Sequence, residues 1–143
     1  MTKTHFEGGC LCGAIRYRST KPPLRCLICH CQYCRKHSGD PCLSFVHFPV
    51  DAFSWIGAQP RRYRLSRYAE RGFCPNCGST ISMHEEVPGD RVQVAFGSLD
   101  DPERVRPDDH VWTQSQISWL DIRDDLARFP RSSTAVASNA ENK

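Results

Sequence analysis

The chain of 143 residues has the length of one domain. Apolar residues make up 39% and charged residues 24%, which supports a buried core and argues against disorder, and a net charge of +3 is too small to imply a nucleic-acid partner. No apolar run is long enough to span a membrane, and Met1 to Gly9 holds no signal-peptide core, so the expected compartment is the reducing cytoplasm.

Residues 1–9 read as a lead-in strand. Ala14 to Arg18 alternates apolar and basic residues with the period of a half-exposed strand, and Lys21-Pro22-Pro23 breaks it. Residues 24–34 carry a cysteine cluster, and Arg35 to Pro41 is polar with turn residues at its end. Cys42 to Phe48 reads as a strand, Phe53 to Ile56 as a short one, and Arg62 to Tyr68 as another. Phe73 leads into a C-P-N-C-G turn, and Thr80 to His84 leaves it as a strand. Arg91 to Phe96 alternates well, Asp100 to Asp109 is an acidic loop with proline, and His110 to Thr113 is short and extended. Trp119 to Phe129 is the one segment with helical apolar spacing. Many short strands at close spacing predict a mainly all-β domain over residues 1–129, with this short helical segment at its C-terminal end. Residues 130–143, rich in Ser, Ala and Asn, are expected to form a disordered tail.

The nine cysteines are an odd number and cannot all pair internally. In a reducing compartment, clustered cysteines bind metal more often than they form disulfides. Cys10 and Cys12 form C-x-C, Cys29, Cys31 and Cys34 form C-x-C-x-x-C, and Cys74 and Cys77 form C-P-N-C-G. A tight turn aims two thiolates at one point, and two such turns complete a tetrahedron around zinc. Gly13 and Gly78, each just after a second cysteine, let the chain reverse with positive φ. A redox C-x-x-C would want a βαβ setting, which the pattern lacks. Joined, Cys10, Cys12, Cys74 and Cys77 make a closed four-thiolate site of the structural kind. Cys29, Cys31 and Cys34 leave a fourth position for water or substrate, the pattern of a reactive zinc. Alternatively, Cys26 completes a second closed site, and spacing leaves both arrangements open.

Gly8 to Tyr17 (G-G-C-L-C-G-A-I-R-Y), Cys29 to Lys36 (C-H-C-Q-Y-C-R-K) and Phe73 to Ser79 (F-C-P-N-C-G-S), in this order, resemble the glutathione-dependent formaldehyde-activating enzyme family, which includes the centromere protein V group. Pro107 to Trp119, with His110 and Trp119, resembles the family's C-terminal segment. The resemblance implies a β-tent fold, small antiparallel sheets around a zinc ribbon. It implies structural zinc on Cys10, Cys12, Cys74 and Cys77, and a second, reactive zinc on Cys29, Cys31 and Cys34. It also implies carbon–sulfur lyase chemistry on S-hydroxymethylglutathione, the adduct of formaldehyde with glutathione as co-substrate. The alternative is a non-catalytic, zinc-stapled scaffold that binds protein or nucleic acid through an arginine-rich face. In that case Cys26 caps the second zinc and no pocket lies beside it.

Arg61, Arg62, Arg64, Arg67 and Arg71 read either as a clamp for substrate carboxylates or, with more weight, as the solvated face of an edge strand. His30, between two ligand cysteines, is expected to point away from the metal. His37, Ser38 and His47 are candidates for hydrogen bonds to thiolates. Tyr33 either lines or covers the second site, and Trp112 and Trp119 are expected in the core. Cys42 reads as an inert buried thiol or as a disulfide partner of Cys26. An exposed edge strand leaves a homodimer open.

Overall fold

The computed structural model describes residues 4–86 and 89–133. In chain order its strands are β1 (Phe6–Gly9), β2 (Arg16–Ser19), β3 (Arg25–Cys29), β4 (Leu43–Pro49), β5 (Phe53–Trp55), β6 (Arg61–Arg64), β7 (Ala69–Phe73), β8 (Thr80–Glu85), β9 (Arg91–Ala95), β10 (Asp109–Val111) and β11 (Ala127–Arg128). The helix α1 (Gln32–Ser38) stands between β3 and β4. β1, β2 and β5 form a three-stranded antiparallel sheet. The other eight form a second sheet in the order β11-β10-β3-β4-β9-β8-β7-β6, antiparallel except that β10 runs parallel to β3 and β11. This mainly β arrangement of a small and a large sheet is the β-tent that the family resemblance implies.

Strand alternation decides which side chains meet. Cys26 stands opposite Val46 and Leu27 opposite Phe45, so alternate positions of β3 and β4 face opposite sides of the sheet. Cys26, Val46, Phe48 and Val94 pack with Tyr17 of β2 in a core shared by the two sheets. Leu27, Cys29 and Phe45 face the other way, towards Cys31, Cys34 and Trp112. β4 is buried on both faces from Phe45 to Phe48, as befits a strand near the centre of a covered sheet.

Two expectations are corrected. Trp119 to Phe129 is not helical: the chain runs irregularly to β11, and Trp119 is exposed rather than in the core. An eleven-residue helix is marginal alone. Here the edge of β10 offers β11 a ladder, and Asp124 accepts hydrogen bonds from Leu126 N and from His110 instead of facing solvent on a helix. The α-helix instead follows the middle cysteine cluster. Cys31 is its N-cap, with its Sγ accepting from Cys34 N at 3.3 Å, and Gly39 at φ 76° closes its last turn by donating to Arg35 O. Residues 130–133 lie against the domain, where Pro130 O and Arg131 O accept from Gln114 N and Trp112 N. The rest of the expected tail, 134–143, lies outside the described residues.

Candidate metal centres and the adjoining cavity

The first centre joins two turns far apart in sequence. Cys10 and Cys12 come from the turn between β1 and β2, and Cys74 and Cys77 from the turn between β7 and β8. Their four sulfurs lie within 4.8 Å of one another. Cys10 Sγ is 3.5 Å from Cys12 Sγ, and Cys12 Sγ is 3.8 Å from Cys74 Sγ. These separations exclude disulfides and match the roughly 3.8 Å edge of a tetrahedron with metal–sulfur bonds near 2.3 Å. Gly13 (φ 83°) and Gly78 (φ 80°) supply the reversals that present the thiols. Donors surround the sulfurs: Ile15 N reaches Cys10 Sγ at 3.2 Å and Asn76 Nδ2 reaches Cys12 Sγ at 3.2 Å. Hydrogen bonds from the Ser79 hydroxyl and then from backbone amides bring the Cys77 thiol down to about 5. The donor set fits a metal that takes four thiolates.

The second centre is local. Cys29 ends β3, Cys31 caps α1 and Cys34 sits in its first turn, all three buried and within 4.8 Å of one another. The neighbouring Cys31 and Cys34 thiols, together with burial, push Cys29 well above the usual thiol range. Three thiols this close could hold a metal ion, which binds the deprotonated form. Cys26 is not part of it. Position 26 faces the core between the sheets and position 29 the opposite side, so no backbone adjustment short of reversing β3 brings Cys26 to the cluster. Among the described residues the set has three cysteines and no fourth. A Cys26–Cys42 disulfide is also excluded. Cys26 lies opposite Val46, four residues or roughly 13 Å along the strand from Cys42, beyond disulfide reach.

A small cavity of about 70 Å³ is lined by Cys29 and Cys34. Leu27, Phe45 and Trp112 give it apolar walls, and His47, Gln93 and Arg91 lie at its other end. His47 pairs with Arg25 and Cys29 with Leu43, which places the two ends roughly 13 Å apart along the strands. Trp112 is held at φ 58°, ψ 38°, the left-handed region that a bulky residue rarely enters. Its backbone is fixed by Trp112 N donating to Arg131 O and Ser115 N to Trp112 O. Such an outlier against a cavity marks a place where position matters more than comfort.

His30 points away from the thiols, as its place between two ligands suggested. Its Nε2 lies 2.9 Å from His110 Nδ1, and His110 Nε2 lies 2.8 Å from Asp124 Oδ2. Burial, and then the neighbouring His110, bring His30 down to about 4. The hydrogen bond from His110 holds Asp124 below the usual carboxylate range. Arg35 Nη1 donates to His30 O and Ser115 O, fastening the cysteine loop to the segment after β10. The sequence shows no sign of Asp124 as a partner here. Only the resemblance at His110 pointed towards this chain.

The other candidates separate cleanly. Tyr33 packs against the cysteine cluster and covers it. His37 and Ser38 make no hydrogen bond to a thiol: His37 Nε2 is buried without a partner and only the backbone O of His37 accepts, from Thr80 Oγ1, while Ser38 Oγ donates to Arg35 O and accepts from Asp40 N. His47 is buried in the cavity's polar end, distant from the thiols. Arg61, Arg62 and Arg64 are exposed on the edge strand β6, where Arg64 pairs with Glu70 at 2.8 Å and Glu86 at 2.6 Å. Arg67 lies exposed over the Tyr68 ring. Arg71 alone of the five is buried, at 3% exposure, and its Nη1 lies 3.5 Å from Cys34 Sγ.

Burial, then Arg91 and Arg25, hold His47 down to about 3. In the unfolded chain a histidine titrates near 6.5. Below about pH 6.5 the unfolded state therefore takes up a proton that the folded state refuses, so this stabilisation is complete above that pH and drains as pH falls towards 3. Each such group contributes a slope of about 1.4 kcal/mol per pH unit. His47→Gln is expected to flatten the fall of stability between about pH 6 and 4 by that slope, as read by urea unfolding. An unchanged slope would mean that His47 is charged in the fold.

Comparison with known proteins agrees with this geometry. The family model described as glutathione-dependent formaldehyde-activating enzyme matches residues 5–115. A Schizosaccharomyces pombe protein named as an uncharacterized lyase is 37% identical over 78 residues, covering 53% of this chain and 55% of that protein, so the match spans about half the length of each. A Halomonas elongata protein whose name places it among the glutathione-dependent formaldehyde-activating enzymes is 29% identical over 131 residues, covering 82% of this chain and 80% of that one. The crystal structure of a Rhodobacter sphaeroides protein shares the fold, with a TM-score of 0.53 at 16% identity over 86% of this chain and 98% of that one. With its cysteine sets, β-tent fold and a family match from residue 5 to residue 115, the chain belongs to the glutathione-dependent formaldehyde-activating enzyme family.

Proposed function

We propose that the protein is a zinc-dependent carbon–sulfur lyase that makes and breaks a thiol–aldehyde adduct of the S-hydroxymethylglutathione kind. The observation that carries this reading is the cavity lined by Cys29 and Cys34, with no fourth cysteine beside them among the described residues. Cys10, Cys12, Cys74 and Cys77 would hold one zinc for structure, and Cys29, Cys31 and Cys34 a second. When bound, a three-thiolate zinc supplies an exchangeable position that keeps a substrate thiol deprotonated near neutral pH. In the forward direction the substrate sulfur adds to the aldehyde carbon, the carbonyl π pair moves to oxygen, and that oxygen takes a proton. The reverse direction returns the proton and expels the thiolate.

The chain's own residues set the conditions. Leu27, Phe45 and Trp112 keep water from the thiols, which protects a reactive adduct and strengthens local electrostatics. At the polar end Glu85 already accepts from Arg91 Nη2 at 3.2 Å and from Gln93 Nε2 at 2.9 Å, and Arg91 Nε and His47 Nε2, buried without a protein partner, are the groups left to meet a polar part of the substrate. The scaffold alternative required Cys26 as a cap and the absence of a pocket, and the geometry supports neither. Among the described residues no helix is long and apolar enough to cross a membrane. A glutathione substrate and nine cysteines outside any disulfide suit the reducing cytoplasm as the compartment of action.

The test is exchange NMR with ¹³C-formaldehyde and glutathione. The zinc-loaded protein is expected to speed formation and breakdown of the adduct, and Cys26→Ser to keep at least about half of that rate, because Cys26 faces the opposite side of β3. Absence of any acceleration with the zinc-loaded protein would overturn the lyase reading.

A further inference from the structure

Arg71 is the buried charge that the proposed reaction does not use. It is 3% exposed, its Nε has no hydrogen-bond partner, and among the described residues no carboxylate pairs with it. The carboxylate of its neighbour Glu70 pairs with Arg62 and Arg64 instead. What Arg71 does meet is Cys34 Sγ, 3.5 Å from its Nη1, and the ring of Phe45, whose centroid lies 5.8 Å from the guanidinium carbon. A guanidinium cannot escape burial by losing its proton, so it needs a compensating anion close by. Three thiolates around a divalent cation carry one net negative charge. Arg71 brings that total to zero.

We infer that Arg71 is the counter-charge of the three-cysteine centre and a positioning residue that lets it accept an anionic sulfur as fourth ligand. The inference rests on the metal assignment of the preceding section, though not on any particular reaction. Without Arg71, a thiolate joining the centre would raise its net charge to minus two in a buried setting. With Arg71 the total is minus one, and the attraction acts through a low-dielectric interior where it is little screened. Register separates Arg71 from Arg62 and Arg64, and its place on β7, one strand in from the edge strand β6, separates it from the exposed Arg61. Tyr63 and Met83 flank it on the adjacent strands, and alternation turns Arg71 inward while Glu70 meets the exterior arginines.

The test uses the full chain loaded with cobalt(II), whose thiolate charge-transfer bands report coordination without turnover. Arg71→Met is expected to weaken metal binding at the second centre at least tenfold against a competing chelator. It should also weaken binding of 2-mercaptoethanol, a thiol without a carboxylate, at least tenfold, while Arg71→Lys keeps both within about threefold. The four-cysteine centre should keep its full equivalent of metal in every variant, reporting that the fold is intact. If Arg71→Met binds metal and 2-mercaptoethanol as the native protein does, the inference falls. If only glutathione binding weakens, Arg71 is a carboxylate clamp and the inference also falls. A second comparison does not depend on Arg71→Met folding alone. In a Cys34→Ser background, which weakens the anion beside Arg71, adding Arg71→Met is expected to raise the urea midpoint. A fall there would overturn the inference. Since none of these readings requires catalysis, an inactive enzyme with intact metal behaviour would refute the lyase reading and leave this one standing.

Discussion

Cys74→Ser is expected to leave the protein unfolded at 25 °C even with zinc supplied. The residue is 1% exposed and its sulfur lies 3.8 Å from that of Cys12, sixty-two positions earlier in the chain. The four-thiolate centre is the direct tie between the β1–β2 turn and the β7–β8 turn, which belong to different sheets. Structural zinc in such a set carries about 10–16 kcal/mol of apparent binding energy, which is folding energy when no site exists in the unfolded chain. A typical domain is stable by only about 5–15 kcal/mol in total. Loss of one thiolate is therefore expected to abolish the cooperative thermal transition and the β signal in circular dichroism, with zinc content falling alongside. A variant that keeps the native transition would show that packing of Ile15 and Ile81 around the centre suffices without metal.

Cys34→Ser is expected to behave in the opposite manner: folded, but inactive. Its partners Cys29 and Cys31 lie within five residues of it, so the second centre ties no distant parts of the chain together. α1 keeps its Gly39 cap, and the sheets keep their shared core. The variant should hold one equivalent of zinc rather than two and melt cooperatively. Lyase activity should fall more than about 100-fold, the upper end of losses seen when only an outer partner of a metal ligand is removed. Retention of activity with one zinc would move the chemistry away from the three-cysteine cluster.

These two expectations differ because one cysteine set is long-range and the other local, and this difference was partly visible in the residues alone. C-x-C and C-P-N-C-G each encode a tight turn within five residues, so the cysteines that would meet could be picked out before any fold was known. Most strands were legible for a similar reason, since alternation in R-V-Q-V-A or T-I-S-M-H is a local property. α1 was not, because seven residues are too few to show a helical stripe and its cap is a cysteine already counted as a ligand. The helix expected at Trp119 to Phe129 failed for the converse reason. Its apolar spacing was real, but pairing of β11 with β10 and the bond from His110 to Asp124 outweighed a weak local preference.

What the sequence by itself determined is the pairing of cysteines into short turns and the β character, both set by turns and periods that span a few residues. Three things were decided only by tertiary structure: that Cys26 stands apart from the second centre, that Arg71 alone among five arginines turns inward, and that His30 meets His110 eighty positions away. Each depends on which face of a strand becomes the inside. A strand shows the same alternation whichever way it is turned, and only pairing with its neighbours fixes the side.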